Sequence, residues 1–194
     1  MTDFDAMYRR QADPWSLRTA WYERRKLDIL MASLPQARYR HALDLGCGEG
    51  EAVRRLAGRC DRVHAVDGSP AAVARCQAWA EETGATHVGA CVLQLPRQWP
   101  AGTRGQVDLL VVSELAYYLG DDDLALFLDH CLDTLAPDGD WAMCHYTRDF
   151  HDRRQPTERL HDALHRLPGL RRIVTHDDVQ FRLDIWRKQE QPSS

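Results

Sequence analysis

Three glycines alternate in Leu43-Asp44-Leu45-Gly46-Cys47-Gly48-Glu49-Gly50, where a short apolar run gives way to a helical pattern. At such a junction the backbone turns sharply, and residues without a Cβ let it approach a bound molecule closely. The spacing points to a cradle for a nucleoside rather than to a plain turn. Asp67 ends the next apolar run, where an acid holds ribose hydroxyls in nucleotide-binding sheets. The loop reads G-x-G-x-G, with Glu51 where the dinucleotide fingerprint requires its third glycine. Asp44, Glu49 and Glu51 crowd the seat that a pyrophosphate would take, and the loop itself holds no arginine to offset them. A nucleoside ending in a sulfonium, with an ammonium and a single carboxylate, suits those charges better. An NAD(P)-dependent reductase and a non-catalytic nucleoside-binding protein are the competing readings.

Glu114 and His145 end neighbouring strand patterns on the side where a parallel sheet binds its ligands. Either could hold an amine or hydroxyl and take its proton, or merely orient the acceptor or satisfy a strand end. Tyr117 and Tyr118 stand where they could wall that pocket. The candidate catalytic set is Glu114, His145 and Tyr118. Glu158, His161 and His165 share a helix face, but with no further ligand near the glycine loop they read as a solvated face, and no metal is expected. Arg153, Arg154, Arg171 and Arg172 are dispersed pairs without interleaved aromatics and read as solvent-facing.

The elements that must position these residues follow from periodicity. Leu17, Trp21, Leu27, Leu30, Met31 and Leu34 predict a helix, which could be broken, over residues 15–34 ahead of Pro35. Then strands at 42–45, 63–66 and 87–92 alternate with helices at 51–57 and 70–80, the second capped by Ser69 and opened by Pro70, with Ala72, Val73, Cys76 and Ala80 on its core stripe. Residues 107–113 are apolar on both faces, as the middle strand of a covered parallel sheet must be. The stripe Leu124, Phe127, Leu128, Cys131, Leu132, Leu135 predicts the next helix, Pro137-Asp138-Gly139 a turn, and 141–145 a strand. A helix carrying Leu160, Ala163, Leu164 and Leu167 precedes a closing antiparallel hairpin of 172–175 and 180–186. The expected fold is a Rossmann-like, seven-stranded, mainly parallel α/β sheet with an antiparallel C-terminal hairpin and an N-terminal helical lid. Residues 1–36 would form the lid, 40–188 the core of the same single domain, and 189–194 a polar tail.

Bulk properties agree. At 194 residues with 44% hydrophobic and 28% charged side chains, the chain can bury a full core, and neither a disordered segment nor a fibre fits. The net charge of −4 offers no broad attraction to nucleic acid or anionic lipid. The longest apolar stretch, 109–112, is too short to cross a bilayer. The six cysteines are scattered, without a C-x-x-C pair or a secretory leader, and point to a reducing cytoplasm.

The Asp44-Leu45-Gly46-Cys47-Gly48-Glu49-Gly50 loop resembles the E/DxGxGxG first motif of class I methyltransferases that use S-adenosylmethionine, a similarity covering roughly residues 40–145. Asp13-Pro14-Trp15-Ser16-Leu17-Arg18-Thr19-Ala20-Trp21-Tyr22-Glu23-Arg24-Arg25-Lys26, Ser113-Glu114-Leu115-Ala116-Tyr117-Tyr118-Leu119 and Leu183-Asp184-Ile185-Trp186 resemble the NodS-like nodulation methyltransferases and extend it over nearly the whole chain. The resemblance implies direct in-line methyl transfer from S-adenosylmethionine, leaving S-adenosylhomocysteine, to a small acceptor: preferably an amine, such as that of an amino sugar or oligosaccharide, with O-methylation as the alternative. It implies Gly46, Cys47 and Gly48 along the methionyl part, Asp44 among the cofactor-binding residues, Asp67 on the ribose and Gly68, Cys91 and Val92 around the adenine. An acid is common in that family where Cys91 stands. Ser113 would face the sulfonium and amino group through its carbonyl, and Trp15, Arg18, Trp21 and Tyr22 would close over the site. The N/D/S-P-P-Y/F turn of base-modifying enzymes is missing at Ser113-Glu114-Leu115-Ala116, so no nucleic-acid substrate is expected, and a monomer or homodimer would suffice.

Overall fold

The computed structural model describes residues 2–189; the polar tail expected from 189 onward lies, beyond Gln189, outside the described residues. Seven strands form one sheet in the order β3-β2-β1-β4-β5-β7-β6. They are β1 (Tyr39–Leu45), β2 (Cys60–Asp67), β3 (Val88–Val92), β4 (Val107–Ser113), β5 (Leu135–Tyr146), β6 (Leu170–Asp177) and β7 (Phe181–Lys188). The first five are mutually parallel, whereas β7 runs antiparallel to both β5 and β6. The chain winds outward through β2 and β3 and then returns to the other side of β1, so β1 and β4 flank the switch point beyond whose carboxyl ends such sheets bind ligands.

Helices α2 (Trp21–Ser33), α3 (Glu51–Leu56), α4 (Pro70–Glu82), α5 (Asp121–Thr134) and α6 (Thr157–His165) cover the sheet. Residues Leu109 to Val112 of β4 are fully buried because a core lies on each face of that strand. Ser69 caps α4 by accepting from the Ala72 amide, and Ala72, Val73, Cys76 and Ala80 are its buried stripe, as their spacing predicts.

Two local expectations change. Residues 15–20 are not helical, and α2 begins only at Trp21. Asp13 and Ser16 adopt positive φ, and the Asp13 carboxylate accepts from the amides of Leu17 (2.5 Å) and Arg18 (3.0 Å), so its side chain competes for donors that a helix would need. Ahead of this turn lies a helix the apolar periodicity does not reveal, α1 (Phe4–Arg10), capped by Asp3 and carrying one buried side chain, Tyr8. Pro137-Asp138-Gly139 does not separate α5 from a strand; it forms a bulge inside β5, with Val107 opposite Leu135 and Leu109 opposite Asp140. Asp138 takes the left-handed conformation that an aspartate tolerates. No helix among the described residues is long and apolar enough to cross a membrane.

Candidate active site

The glycine loop leaves β1 and is drawn toward β2 by the amides of Gly46 and Cys47, which both donate to the Val66 carbonyl at 2.8 and 3.0 Å. Gly48 has φ +53, and a Cβ there would stand 2.6 Å from the Tyr8 hydroxyl oxygen; Gly50 has φ +87, and a Cβ would meet Cys76 Sγ at 2.7 Å. Neither position admits a side chain, so the alternation is a packing requirement as well as a conformational one. Asp67 closes the loop from the end of β2, accepting from the Gly48 amide at 2.9 Å and the Ser69 amide at 2.8 Å. Burial raises its pKa, against backbone amides that work to lower it.

Asp44 is 2% exposed, and its Oδ2 has no hydrogen-bond partner. Burial first, and the neighbouring Asp67 second, push its pKa up to about 7. A buried carboxylate oxygen left unpaired is costly, and an incoming ammonium or donor relieves that cost. The donor set therefore fits a cationic nucleoside.

The other acids of the loop are paired from outside it. Glu49, also 2% exposed, is gripped by Arg18 (2.5 Å) and Arg75 and accepts from the Asp13 amide (3.2 Å). Glu51 meets Arg18 at 2.7 Å and Arg54 at 3.2 Å. These arginines correct the expectation that Glu49 and Glu51 repel phosphate; that part now rests on Asp44 and Asp67.

Across the switch point, Glu114 follows β4 in a left-handed conformation, φ +55, with no glycine's freedom. Its Oε1 accepts from Lys26 Nζ at 2.7 Å, and its Oε2 from the Tyr117 hydroxyl and the Tyr146 amide. Lys26 is 3% exposed and also meets Glu23 at 2.8 Å. Burial works to lower the Lys26 pKa, but Glu114 and Glu23 outweigh it and hold the ammonium charged. Tyr118, pushed up to about 12 chiefly by burial, packs against Phe4, Tyr117 and Phe150.

A family model described as a methyltransferase domain matches residues 42–139, which span β1 through the bulge of β5. The chain belongs to the methyltransferase-domain family. Nodulation protein S of Sinorhizobium fredii (strain NBRC 101917 / NGR234) is 33% identical over 129 residues, 66% of this chain and 57% of that protein. Nodulation protein S of Rhizobium tropici is 31% identical over 129 residues, 66% of this chain and 52% of its own. The chain thus spans just over half the length of the curated relatives it matches. A Pseudomonas syringae protein described as a candidate methyltransferase shares 36% identity and a TM-score of 0.75, over 87% of this chain and 100% of that one. The N-methyltransferase NodS from Bradyrhizobium japonicum WM9, solved in complex with S-adenosyl-L-homocysteine, has a TM-score of 0.82 at 23% identity over 97% of this chain and 100% of that one, a likeness of fold.

In this methyltransferase-domain protein the expected residues divide into two groups. Asp44, Gly46, Cys47, Gly48, Asp67 and Gly68 gather around the loop, Val92 lies beside Asp67 in register, and Ser113 ends β4 next to Glu114. Cys91 sits on the edge strand with its Sγ 3.5 Å from His64 Nε2. Arg18, expected on the cofactor, is committed to Glu49 and Glu51. Tyr22 packs against Tyr146 and Phe181, at the ends of β5 and β7, instead of over the loop. Trp15 meets Phe4 and Tyr8, whereas Trp21 is 71% exposed at the start of α2. His145, expected as a possible base, is fully buried with both ring nitrogens engaged inside the protein, so it cannot reach an acceptor. His161 turns inward instead of joining a solvated face with Glu158 and His165, and among the described residues no three ligating side chains gather as a metal site. Arg153 points inward too, donating to the carbonyls of Thr147, Arg148 and Gln155.

Sequence reasoning missed Tyr8, Glu23, Arg75, Gln94 and the role of Lys26. Gln94 donates to the Gly68 carbonyl at 2.8 Å, beside the expected adenine position. The one available signal for Lys26 was its rarity, since it and Lys188 are the only lysines in the chain.

Proposed function

We propose that this chain transfers a methyl group from S-adenosylmethionine to a small-molecule acceptor, preferably an amine. The observation that carries the reading is the unpaired, buried Asp44 oxygen beneath a glycine loop that Asp67 closes. Asp44 would take the cofactor's ammonium, Asp67 its ribose hydroxyls, and Gly68, Val92 and Gln94 would border its adenine. S-adenosylmethionine supplies an electrophilic methyl on a positively charged sulfur. The chain's own residues then have only to align the acceptor, exclude water and receive a proton. Glu23 and Glu114 both meet Lys26, two carboxyl groups to one ammonium, an arrangement that favours a second cationic group and hence an amine acceptor. Glu114 would hold that amine and take its proton, while Tyr118 and Phe150 wall the pocket and residues 1–36 act as the lid.

The family match, the resemblance to nodulation protein S and the fold shared with an N-methyltransferase holding S-adenosyl-L-homocysteine support this reading. An amino sugar or oligosaccharide amine is the acceptor class it favours, with the chain acting as a monomer or homodimer and without nucleic acid. Its six free cysteines fit a reducing cytoplasm. Titration calorimetry with S-adenosylhomocysteine and NADH, followed by S-adenosylhomocysteine release assays over amines and alcohols, tests it. Binding of S-adenosylhomocysteine alone and turnover on amines are expected. NADH binding alone would sink the reading; turnover confined to alcohols would reassign the acceptor, and tight binding without turnover would leave a nucleoside-binding protein.

A further inference from the structure

Behind the Glu114 turn lie three titratable side chains that methyl transfer does not use. His145 sits one residue before the end of β5, His161 on α6 and Asp184 on β7, and all three are fully buried. They form a line. The Ala116 amide lies 3.3 Å from His145 Nε2, His145 Nδ1 lies 3.3 Å from His161 Nε2, and His161 Nδ1 lies 2.7 Å from Asp184 Oδ2. Asp184 is anchored in turn by Arg182 Nε at 2.7 Å.

The polarity of this line is dictated by its ends. A backbone amide can only donate, so His145 Nε2 must present its lone pair, and the proton of the neutral ring must sit on Nδ1. That proton faces His161 Nε2, which must therefore accept, leaving the His161 proton on Nδ1 to bond the Asp184 carboxylate. Every proton has one place, and an ionised carboxylate polarises the whole line toward the Ala116 amide.

The line ends where the backbone most needs holding. Ala116 is two residues beyond Glu114, whose left-handed φ has no glycine to relieve it. The His145 ring also packs edge-on against Tyr117, 5.2 Å between centroids, and the Tyr117 hydroxyl donates to Glu114 Oε2. His145 thus touches the turn at its amide and at the side chain that bonds the carboxylate. We propose that Asp184, His161 and His145 form a relay of positioning residues that fixes the Glu114 turn and so sets its carboxylate against the acceptor. Glu114's part in this rests on the methyltransferase reading; the proton placement does not.

Two measurements test it. Long-range proton–nitrogen NMR of the full chain at neutral pH should show His145 and His161 as neutral rings protonated at Nδ1, and an exchange-protected Ala116 amide. An Nε2-protonated or doubly protonated ring at either position overturns the relay, whether or not the protein turns over any substrate. His145→Leu and His145→Gln are then compared with glucosamine as the probe acceptor. Glutamine can still accept from the Ala116 amide through Oε1, whereas leucine cannot. The leucine variant should lose about tenfold or more in kcat with cofactor affinity unchanged, and glutamine should recover most of that loss. Equal kcat in both variants and wild type, with matching melting, overturns the positioning role. If wild type shows the expected tautomers but transfers no methyl to any amine, the activity assignment fails while the relay stands. If the leucine variant does not fold, Ala116 amide protection decides: retained in His145→Gln it supports the relay, and lost there as well it refutes it.

Discussion

At the scale of single residues, the two acids that close the site have separable jobs. Asp67 braces the loop through the Gly48 and Ser69 amides and would hold the ribose, whereas Glu114 stands with Lys26 and Tyr117 at the turn after β4 and would serve the acceptor. Asp67→Ala should therefore weaken S-adenosylhomocysteine binding by about 1–3 kcal/mol in calorimetry, as stranded polar partners do. Glu114→Gln keeps the shape and an acceptor for the Tyr146 amide but removes the charge. It should cut kcat by about 100-fold while cofactor affinity moves less than about twofold, and the reverse pattern in the two variants would exchange their roles. Residues of the first kind were legible in sequence because the backbone itself demands them. Gly48 and Gly50 admit no Cβ, and an acid after β2 is placed by its strand. Tyr8 and Lys26 were not legible as site residues, because what selects them is remote in sequence: Tyr8 stands against Gly48 and Lys26 pairs with Glu114.

At the scale of elements, the alternation of β and α patterns was readable because the inner strands are buried on a face, or on two, that their composition declares, and the edge strands β3 and β6 are partly covered. The N-terminal region was harder. Its order depends on polar clasps that leave no apolar period: Asp5 accepts from Ser69 Oγ and the Ala71 amide at the start of α4, and Glu49 collects Arg18, Arg75 and the Asp13 amide. The same applies to the bulge in β5, where Pro137-Asp138-Gly139 carries turn chemistry that pairing on both sides confines to a local irregularity. Glu49 is the hub on which the clasp depends, since its carboxylate is buried while both arginines reach it from the surface. Glu49→Ala leaves those donors without their acceptor, and charged hydrogen bonds of this kind are worth about 1.5–3 kcal/mol each. Residues 4–18 should then exchange their amides markedly faster by mass spectrometry while β1, β4 and β5 stay protected. Unchanged exchange there would mean that α1 is held by its aromatic contacts instead.

At the scale of the whole molecule, the buried Asp44 carboxyl is a liability built into the sheet, and pH exposes it. Asp44 has its pKa pushed up to about 7 from 3.8, by burial and then by Asp67. A carboxyl whose folded pKa is raised binds its proton more tightly folded than unfolded, so its contribution to stability is full below about pH 4 and is lost as pH climbs through 7. Its share of the melting temperature of the ligand-free protein should fall between pH 6 and pH 8. On the proposed seating the cofactor would reverse the sign, because an ammonium on Asp44 prefers the ionised form. Affinity should improve about tenfold over the same interval, with a proton released on binding near neutrality. At a concentration about 100-fold above Kd at pH 8, S-adenosylhomocysteine should stabilise the fold by about 2.7 kcal/mol, a rise of roughly 5–10 °C for a chain of this size. The same concentration at pH 6 is only about tenfold above Kd and should give about 1.4 kcal/mol, half the shift. Asp44→Asn removes the titration, so its ligand-induced shift should be smaller and flat with pH. A slope that survives in this variant would place the titrating group elsewhere and with it the seat of the cofactor's ammonium.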